Sequence, residues 1–153
     1  QLVVVRSLTK FYSLPGLRLG YAIAHPDHLR RWQQWRDPWP VNTLAEAAAI
    51  AALQDAPYQQ AVWRWLPTAR QELITGLAAL PGLTPFPGVA NYVLVRTDRV
   101  SGPTVQYRLL TEHHILVRDC LSFAELGDRY LRLAVRTESE NQQLLAALAQ
   151  VLR

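Results

Sequence analysis

The sequence predicts an α/β fold in which the second half of the chain is of the α+β type. Half of its 153 residues are apolar, which is enough to bury a core. The apolar run Leu2 to Val5 is typical of a strand covered on both faces in a parallel sheet. Further along, apolar residues keep helical spacing from Tyr58 to Leu80, and alternating strands at Asn91 to Arg96 and Tyr130 to Val135 are separated by helical segments.

The elements of the first third follow from local patterns. After the opening strand we expect, in order, a strand at Arg18 to Ala24, a loop at His25 to Asp27, a helix at Leu29 to Trp35, a loop at Pro38 to Pro40 and an Ala-rich helix at Thr43 to Leu53.

The remaining elements alternate between helix and strand. Pro67 interrupts the Tyr58 to Leu80 stripe, so a kink or two abutting helices are expected there. A helix at Val105 to His113 and a strand at Ile115 to Arg118 precede the strand that begins at Tyr130. Thr137 and Glu140 have the spacing of a capping box and therefore predict the start of the last helix.

The composition argues against several classes of function. The net charge is +4, but the positive residues are scattered along the chain. One stretch interleaves cations with tryptophan: Arg30, Arg31, Trp32, Trp35 and Arg36. An amphipathic helix explains this stretch better than a stacking platform for single-stranded nucleic acid does. No membrane-spanning run or signal peptide is visible, so a cytoplasmic location is expected. Cys120 has no partner for a disulfide and the histidines lack zinc-site spacing, so no metal is expected.

The basic residues include a single lysine, Lys10, against fifteen arginines. Arginine can replace a lysine whose only task is surface charge, but it cannot supply a neutral primary amine. A lysine retained in such a composition is therefore a candidate nucleophile.

The segment from Ser7 to Tyr21 places this amine between a hydroxyl and a guanidinium. A hydroxyl at Ser7 and a guanidinium at Arg18 are suited to hold a phosphate dianion, and a neutral amine at Lys10 can condense with an aldehyde. Partial burial beside Arg18 would favour the neutral amine. The alternative is that Lys10 is a solvated loop residue and Arg18 a surface charge.

The pattern Ser-x-x-Lys followed by Gly-Leu-Arg-x-Gly-Tyr resembles the lysine signature of the aminotransferase family. The resemblance implies that Lys10 forms a Schiff base with pyridoxal 5'-phosphate and later moves protons, and that Ser7 and Arg18 hold the cofactor phosphate. It also implies that residues 1–55 are the carboxy-terminal remnant of the cofactor-binding large domain, a mixed sheet with helices of fold type I. Residues 56–153 would then form the small α+β domain.

Other stretches resemble the subgroup that contains histidinol-phosphate aminotransferase and threonine-phosphate decarboxylase: Trp39 to Ala45, Gly88 to Tyr92, Ile115 to Cys120 and Tyr130 to Arg136. The resemblance implies that Arg132 grips the substrate carboxylate and that Arg118 contacts its phosphate. Strand alternation puts Arg136 on the same face as Arg132. Asn42 is a further candidate for substrate binding, although capping a helix explains it equally well.

We therefore expect a pyridoxal-phosphate-dependent decarboxylase that converts L-threonine O-3-phosphate to aminopropanol phosphate for cobalamin biosynthesis and acts as a homodimer. Arg136 favours the decarboxylase over a histidinol-phosphate-type aminotransferase, because the resemblance implies that aminotransferases of that type usually have Gly at this position. A non-catalytic remnant that binds or pairs is the other alternative. The family's glycine-rich phosphate loop and the Asp facing the ring nitrogen are not found in these 153 residues, so this chain alone is expected to have little turnover.

Overall fold

The computed structural model describes residues 2–152, and the chain divides into two compact units between Gln59 and Gln60. The first unit begins with two short strands, β1 (Val4–Ser7) and β2 (Gly20–Ile23), which pair antiparallel. They are followed by the helices α1 (Pro26–Trp35) and α2 (Thr43–Gln54). The predicted order of elements in this unit is confirmed.

The environment of β1 differs from the prediction of a strand buried in a parallel sheet. Val5 is 74% exposed and Leu2 is 79% exposed. Among the described residues β1 pairs only with β2, and that pairing is antiparallel. Parallel pairing and burial on both faces are therefore not observed within residues 2–152, and the apolar surface of Leu2 to Val5 is exposed, as expected where the strand lacks neighbouring strands to cover it.

The two helices of the first unit begin at side-chain caps. Asn42 accepts a hydrogen bond through Oδ1 from the Ala45 backbone N–H at 2.8 Å, and this bond marks the start of α2 at the predicted residue. The start of α1 at Pro26 lies three residues before the predicted one, and it includes part of the segment expected to be a loop. Proline is favoured in a first helical turn because its missing N–H would have no partner there.

The long helix α3 (Ala56–Ala78) contains Pro67 within a single assigned helix, where a kink or two abutting helices were predicted. Its apolar stripe is confirmed at Ala69, Leu73 and Leu77, which are buried, whereas Trp65, also expected on the stripe, is 42% exposed. From Gln60 onward this helix belongs to the second unit.

The second unit is built on a four-stranded antiparallel sheet with the order β3-β4-β6-β5. The strands are β3 (Leu83–Pro85), β4 (Tyr92–Thr97), β5 (Arg118–Asp119) and β6 (Tyr130–Ala134), and the helices α4 (Gly102–His113) and α5 (Glu138–Val151) join α3 in packing on its apolar face. The predicted α+β character is confirmed. Strand β3 was not predicted, and the strand expected at Ile115 to Arg118 is reduced to the two residues of β5.

The alternation predicted for β6 is confirmed. Leu131 and Leu133 are completely buried and Val135 is 7% exposed, whereas Arg132 and Arg136 are exposed. The sheet therefore has one face in the core and one arginine-bearing face in solvent.

Candidate active site

Lys10 lies in an exposed turn directly after β1. The turn is closed by a hydrogen bond from the Ser13 backbone N–H to the Lys10 carbonyl oxygen at 3.2 Å. On its other side Leu8 is only 3% exposed and donates its N–H to the carbonyl of Leu19 at 3.1 Å. The lysine is therefore presented outward from a segment whose backbone is anchored before and after it.

The two predicted phosphate-binding residues flank this turn. Ser7 ends β1, and its Oγ accepts a hydrogen bond from the Thr9 N–H at 3.3 Å. Arg18 adopts a φ of 51°, in the left-handed region, and its guanidinium donates to the Pro15 carbonyl at 3.1 Å. A non-glycine residue in that region is uncommon and costs backbone strain, which is found most often at functional sites.

The prediction that Lys10 is partly buried beside Arg18 is wrong, because the Lys10 side chain is exposed in the described part of the chain. Arg18 instead lines a concavity of about 610 Å³ together with Tyr21, Trp32 and Arg36. Two guanidinium groups, those of Arg18 and Arg36, line this concavity, and the hydroxyl of Ser7 and the amine of Lys10 belong to the end of β1 and the turn after it. An amine, a hydroxyl and guanidinium groups are chemically suited to an aldehyde that carries a phosphate. The donor set therefore fits pyridoxal 5'-phosphate.

A residue that the sequence analysis did not single out contacts the lysine turn. Tyr58, in the first turn of α3, donates its hydroxyl hydrogen to the Phe11 carbonyl oxygen at 2.7 Å. The two residues are 47 positions apart. No local pattern could have indicated this contact, because it depends on how the chain returns to the turn.

Asn42, predicted as a substrate-binding residue, caps α2 through its side-chain oxygen. The capping alternative is thus observed.

Arg118 and Arg132 lie directly opposite each other on β5 and β6. Both are exposed, and the Arg132 guanidinium lies 5.2 Å from the centre of the Tyr92 ring. Like charges directly across a strand pair destabilise a sheet. Within residues 2–152 neither arginine has an ion-pair partner, so this pair is suited to bind an anion.

Arg136 has a different environment from the other two. Its guanidinium forms an ion pair with Glu140 at 2.6 Å, and Glu140 also accepts hydrogen bonds from Thr137 in the predicted capping box. The bonds from Arg136 and Thr137 lower the pKa of Glu140 to about 2. The backbone of Arg136 is held as well, since Asn141 accepts from its N–H at 3.1 Å and donates to its carbonyl at 2.9 Å.

Other reactive side chains are placed as structural residues. Cys120 is 3% exposed, and burial raises the pKa of its thiol. His113 lies in the last turn of α4 and His114 ends that helix in a left-handed conformation. In the part of the chain that the structure describes, no three His, Cys, Asp or Glu side chains are grouped as a metal site.

None of the helices among the described residues has both the length and the apolar character needed to cross a membrane.

The sequence profile of the aminotransferase class I and II family matches residues 1–148. Threonine-phosphate decarboxylase of Salmonella typhimurium is 47% identical over 150 residues, which cover 97% of this chain and 41% of that protein. The structure of histidinol-phosphate aminotransferase from Clostridium acetobutylicum superposes with a TM-score of 0.92 at 33% identity and covers 99% of this chain and 46% of that one.

A third similar structure, of histidinol-phosphate aminotransferase from Sinorhizobium meliloti in complex with pyridoxal-5'-phosphate, has a TM-score of 0.85 at 28% identity and covers 99% of this chain and 41% of that one. This chain spans about two fifths of the length of the curated relatives it matches. The expected fold type I class and the expected cofactor of the family are confirmed. The chain belongs to the pyridoxal-phosphate-dependent aminotransferase class I and II family and corresponds to a carboxy-terminal part of such enzymes.

Proposed function

We propose that Lys10 is the covalent attachment site for pyridoxal 5'-phosphate and that Ser7 and Arg18 hold the cofactor phosphate. The observation that carries this proposal is the position of the only lysine in an exposed turn flanked by these two residues. When bound, the cofactor supplies an electron sink that weakens the bonds at the α-carbon of an amino acid. Lys10 would in addition accept and return protons at its Nζ atom.

The proposed reaction is decarboxylation of L-threonine O-3-phosphate to aminopropanol phosphate, a step of cobalamin biosynthesis. The 47% identity to the Salmonella threonine-phosphate decarboxylase supports this substrate. A phosphorylated amino acid carries two anionic groups, and the exposed face of the sheet offers Arg118 and Arg132 without carboxylate partners among the described residues. Charge-assisted contacts from arginine to carboxylate and phosphate supply both affinity and orientation.

The arginines are proposed to have separate roles. Arg132 binds the carboxylate, and its contact with the Tyr92 ring restricts the guanidinium plane. Arg118 contacts the substrate phosphate. Arg136, whose charge is balanced by Glu140, and Asn42, through the amide nitrogen that its capping bond leaves available, are each proposed to contribute to substrate binding.

A histidinol-phosphate-type aminotransferase is the second candidate. Its support is the similarity to the Clostridium acetobutylicum enzyme, which is 33% identical and superposes with a TM-score of 0.92. The two reactions differ in which bond at the α-carbon is broken, and orientation of the substrate by the arginines decides between them.

The activity is proposed for the whole enzyme, in which the chain acts within a cytoplasmic homodimer. Membership of the aminotransferase family supports this assembly and location. Because the chain spans about two fifths of its curated relatives, we propose that the 153 residues alone bind the cofactor with little turnover.

The attachment site can be tested on the chain itself. We expect that pyridoxal phosphate followed by borohydride labels Lys10, and that Lys10→Arg, which keeps the charge, removes the internal label. Peptide mapping separates Lys10 from the amino terminus without ambiguity because the chain has one lysine. Label at the amino terminus alone would contradict the proposal.

The reaction can be tested in a chimera in which this chain replaces the matching 41% of the Salmonella decarboxylase. We expect release of carbon dioxide from L-threonine O-3-phosphate, and loss of this activity in the Arg132→Met chimera. Formation of a keto acid without carbon dioxide would instead favour the aminotransferase.

A further inference from the structure

The turn that presents Lys10 is held by a residue from a distant part of the sequence. The Tyr58 hydroxyl donates to the carbonyl oxygen of Phe11, the residue directly after the lysine, at 2.7 Å. This is the usual length of a strong O–H···O bond. Tyr58 is half-buried, so the bond is partly shielded from competition by water.

Ring contacts support the same attachment. The Tyr58 ring stacks on the Tyr12 ring at 6.2 Å with an angle of 27° between the ring planes. Its edge meets the Phe11 ring at 6.1 Å, and Phe11 and Tyr12 meet edge to face at 4.8 Å. Such aromatic pairs stabilise beyond the apolar area that they bury. Both residues that follow Lys10 are therefore tied to the first turn of α3.

The residues before the lysine are fixed independently by the burial of Leu8 and its bond to Leu19. Lys10 thus lies between two anchored points, while its own side chain is exposed. A lysine side chain has four flexible carbons, so its reach is defined only if the backbone that carries it is fixed.

We propose that Tyr58 is a positioning residue for Lys10. It fixes the backbone of the turn so that the amine stays within reach of the position where Ser7 and Arg18 hold the cofactor phosphate. This inference rests on the proposed role of Lys10 as the attachment site.

Two matched variants separate the hydroxyl from the ring. Tyr58→Phe removes the hydrogen bond to Phe11 and keeps the aromatic contacts. Tyr12→Phe removes the hydroxyl of the neighbouring ring, which makes no hydrogen bond within the part of the chain that the structure describes.

The first measurement is amide hydrogen exchange in the full chain, and it does not depend on the cofactor. The Ser13 N–H is bonded to the Lys10 carbonyl, and the Leu8 N–H lies on the anchored side. We expect Tyr58→Phe to speed exchange at Ser13 about fivefold, the effect of one lost hydrogen bond, and to leave Leu8 unchanged. Equal acceleration at both amides, or no change at Ser13, would overturn the inference.

The second measurement compares the labelling of Lys10 by pyridoxal phosphate and by pyridoxal, which lacks the phosphate, each with borohydride. We expect wild type and Tyr12→Phe to prefer the phosphorylated aldehyde, and Tyr58→Phe to lose about fivefold of that preference. If the preference survives intact in Tyr58→Phe, the positioning role is wrong. If wild type shows no preference, the proposed phosphate site fails, and the exchange data alone decide whether Tyr58 restrains the turn.

Discussion

The substitution Gly20→Ala tests whether close pairing of β1 with β2 holds the candidate site together. A Cβ atom at residue 20 would lie 2.6 Å from the carbonyl oxygen of Arg6 and 3.4 Å from the Cα atom of Ser7. The shortest ordinary carbon–oxygen contact is about 3.3 Å, so the two strands would have to separate by roughly 0.7 Å. Both contacts are with backbone, so no flexible side chain can relieve the clash.

Gly16→Ala is the matched control, since a Cβ there meets nothing within 4 Å. Both substitutions reduce the entropy of the unfolded chain in the same way, by about 0.4–1 kcal/mol. This contribution cancels in their difference, which leaves the overpacking cost of about 1–3 kcal/mol. That cost corresponds to a ratio of local opening constants of roughly 5 to 140.

The assay is exchange of the Leu8 amide, which donates to the Leu19 carbonyl beside the strand pair. We expect the Leu8 amide to exchange roughly 5 to 140 times faster in Gly20→Ala than in Gly16→Ala. We also expect slower labelling of Lys10 by pyridoxal phosphate in Gly20→Ala. Exchange rates that agree within about twofold would refute the argument, because a difference that small corresponds to well under 1 kcal/mol.

Three further outcomes are expected. Leu148→Ala, at a completely buried position, should lower the free energy of unfolding of the second unit by about 2–5 kcal/mol in a denaturant titration, whereas a loss below about 1 kcal/mol would contradict tight packing there. The low pKa of Glu140 favours its carboxylate in the folded state, so its stabilising contribution is complete above its ordinary pKa of 4.5 and is lost as pH falls toward about 2. Glu140→Gln should therefore flatten the dependence of stability on pH in that window, and an unchanged slope would contradict this. Because burial raises the pKa of its thiol, Cys120 should be alkylated by iodoacetamide at pH 8 more slowly than free cysteine and should react readily once the chain is unfolded; equal rates in the folded chain would show that the thiol is accessible.

Features that depend on neighbouring residues could be predicted from the sequence. The capping box of Thr137 and Glu140 closes within one helical turn, and the alternation of Leu131 and Arg132 follows from strand geometry alone. The candidate lysine also stood out, because it is the only one in the chain and has a fixed spacing to Ser7 and Arg18.

Features that depend on distant residues could not be predicted. The sequence of β3, Leu83 to Pro85, does not indicate a strand, because it is short and ends in proline. It is a strand because it pairs with β4. The antiparallel pairing of β1 and the bond from Tyr58 to Phe11 likewise depend on where the chain returns. The partial burial predicted for Lys10 failed for the same reason, since burial is set by what packs over a turn.

The arrangement of Arg118 opposite Arg132 has a consequence for the stability of this sheet. The two positive charges repel each other across the strand pair, and a neutral residue in place of either one would relieve that repulsion. A dianion bound between the two guanidinium groups would relieve it as well, so the sheet should be more stable with a bound dianion than without one. Sulfate and phosphate should accordingly raise the melting temperature of this chain at concentrations where chloride of equal ionic strength does not.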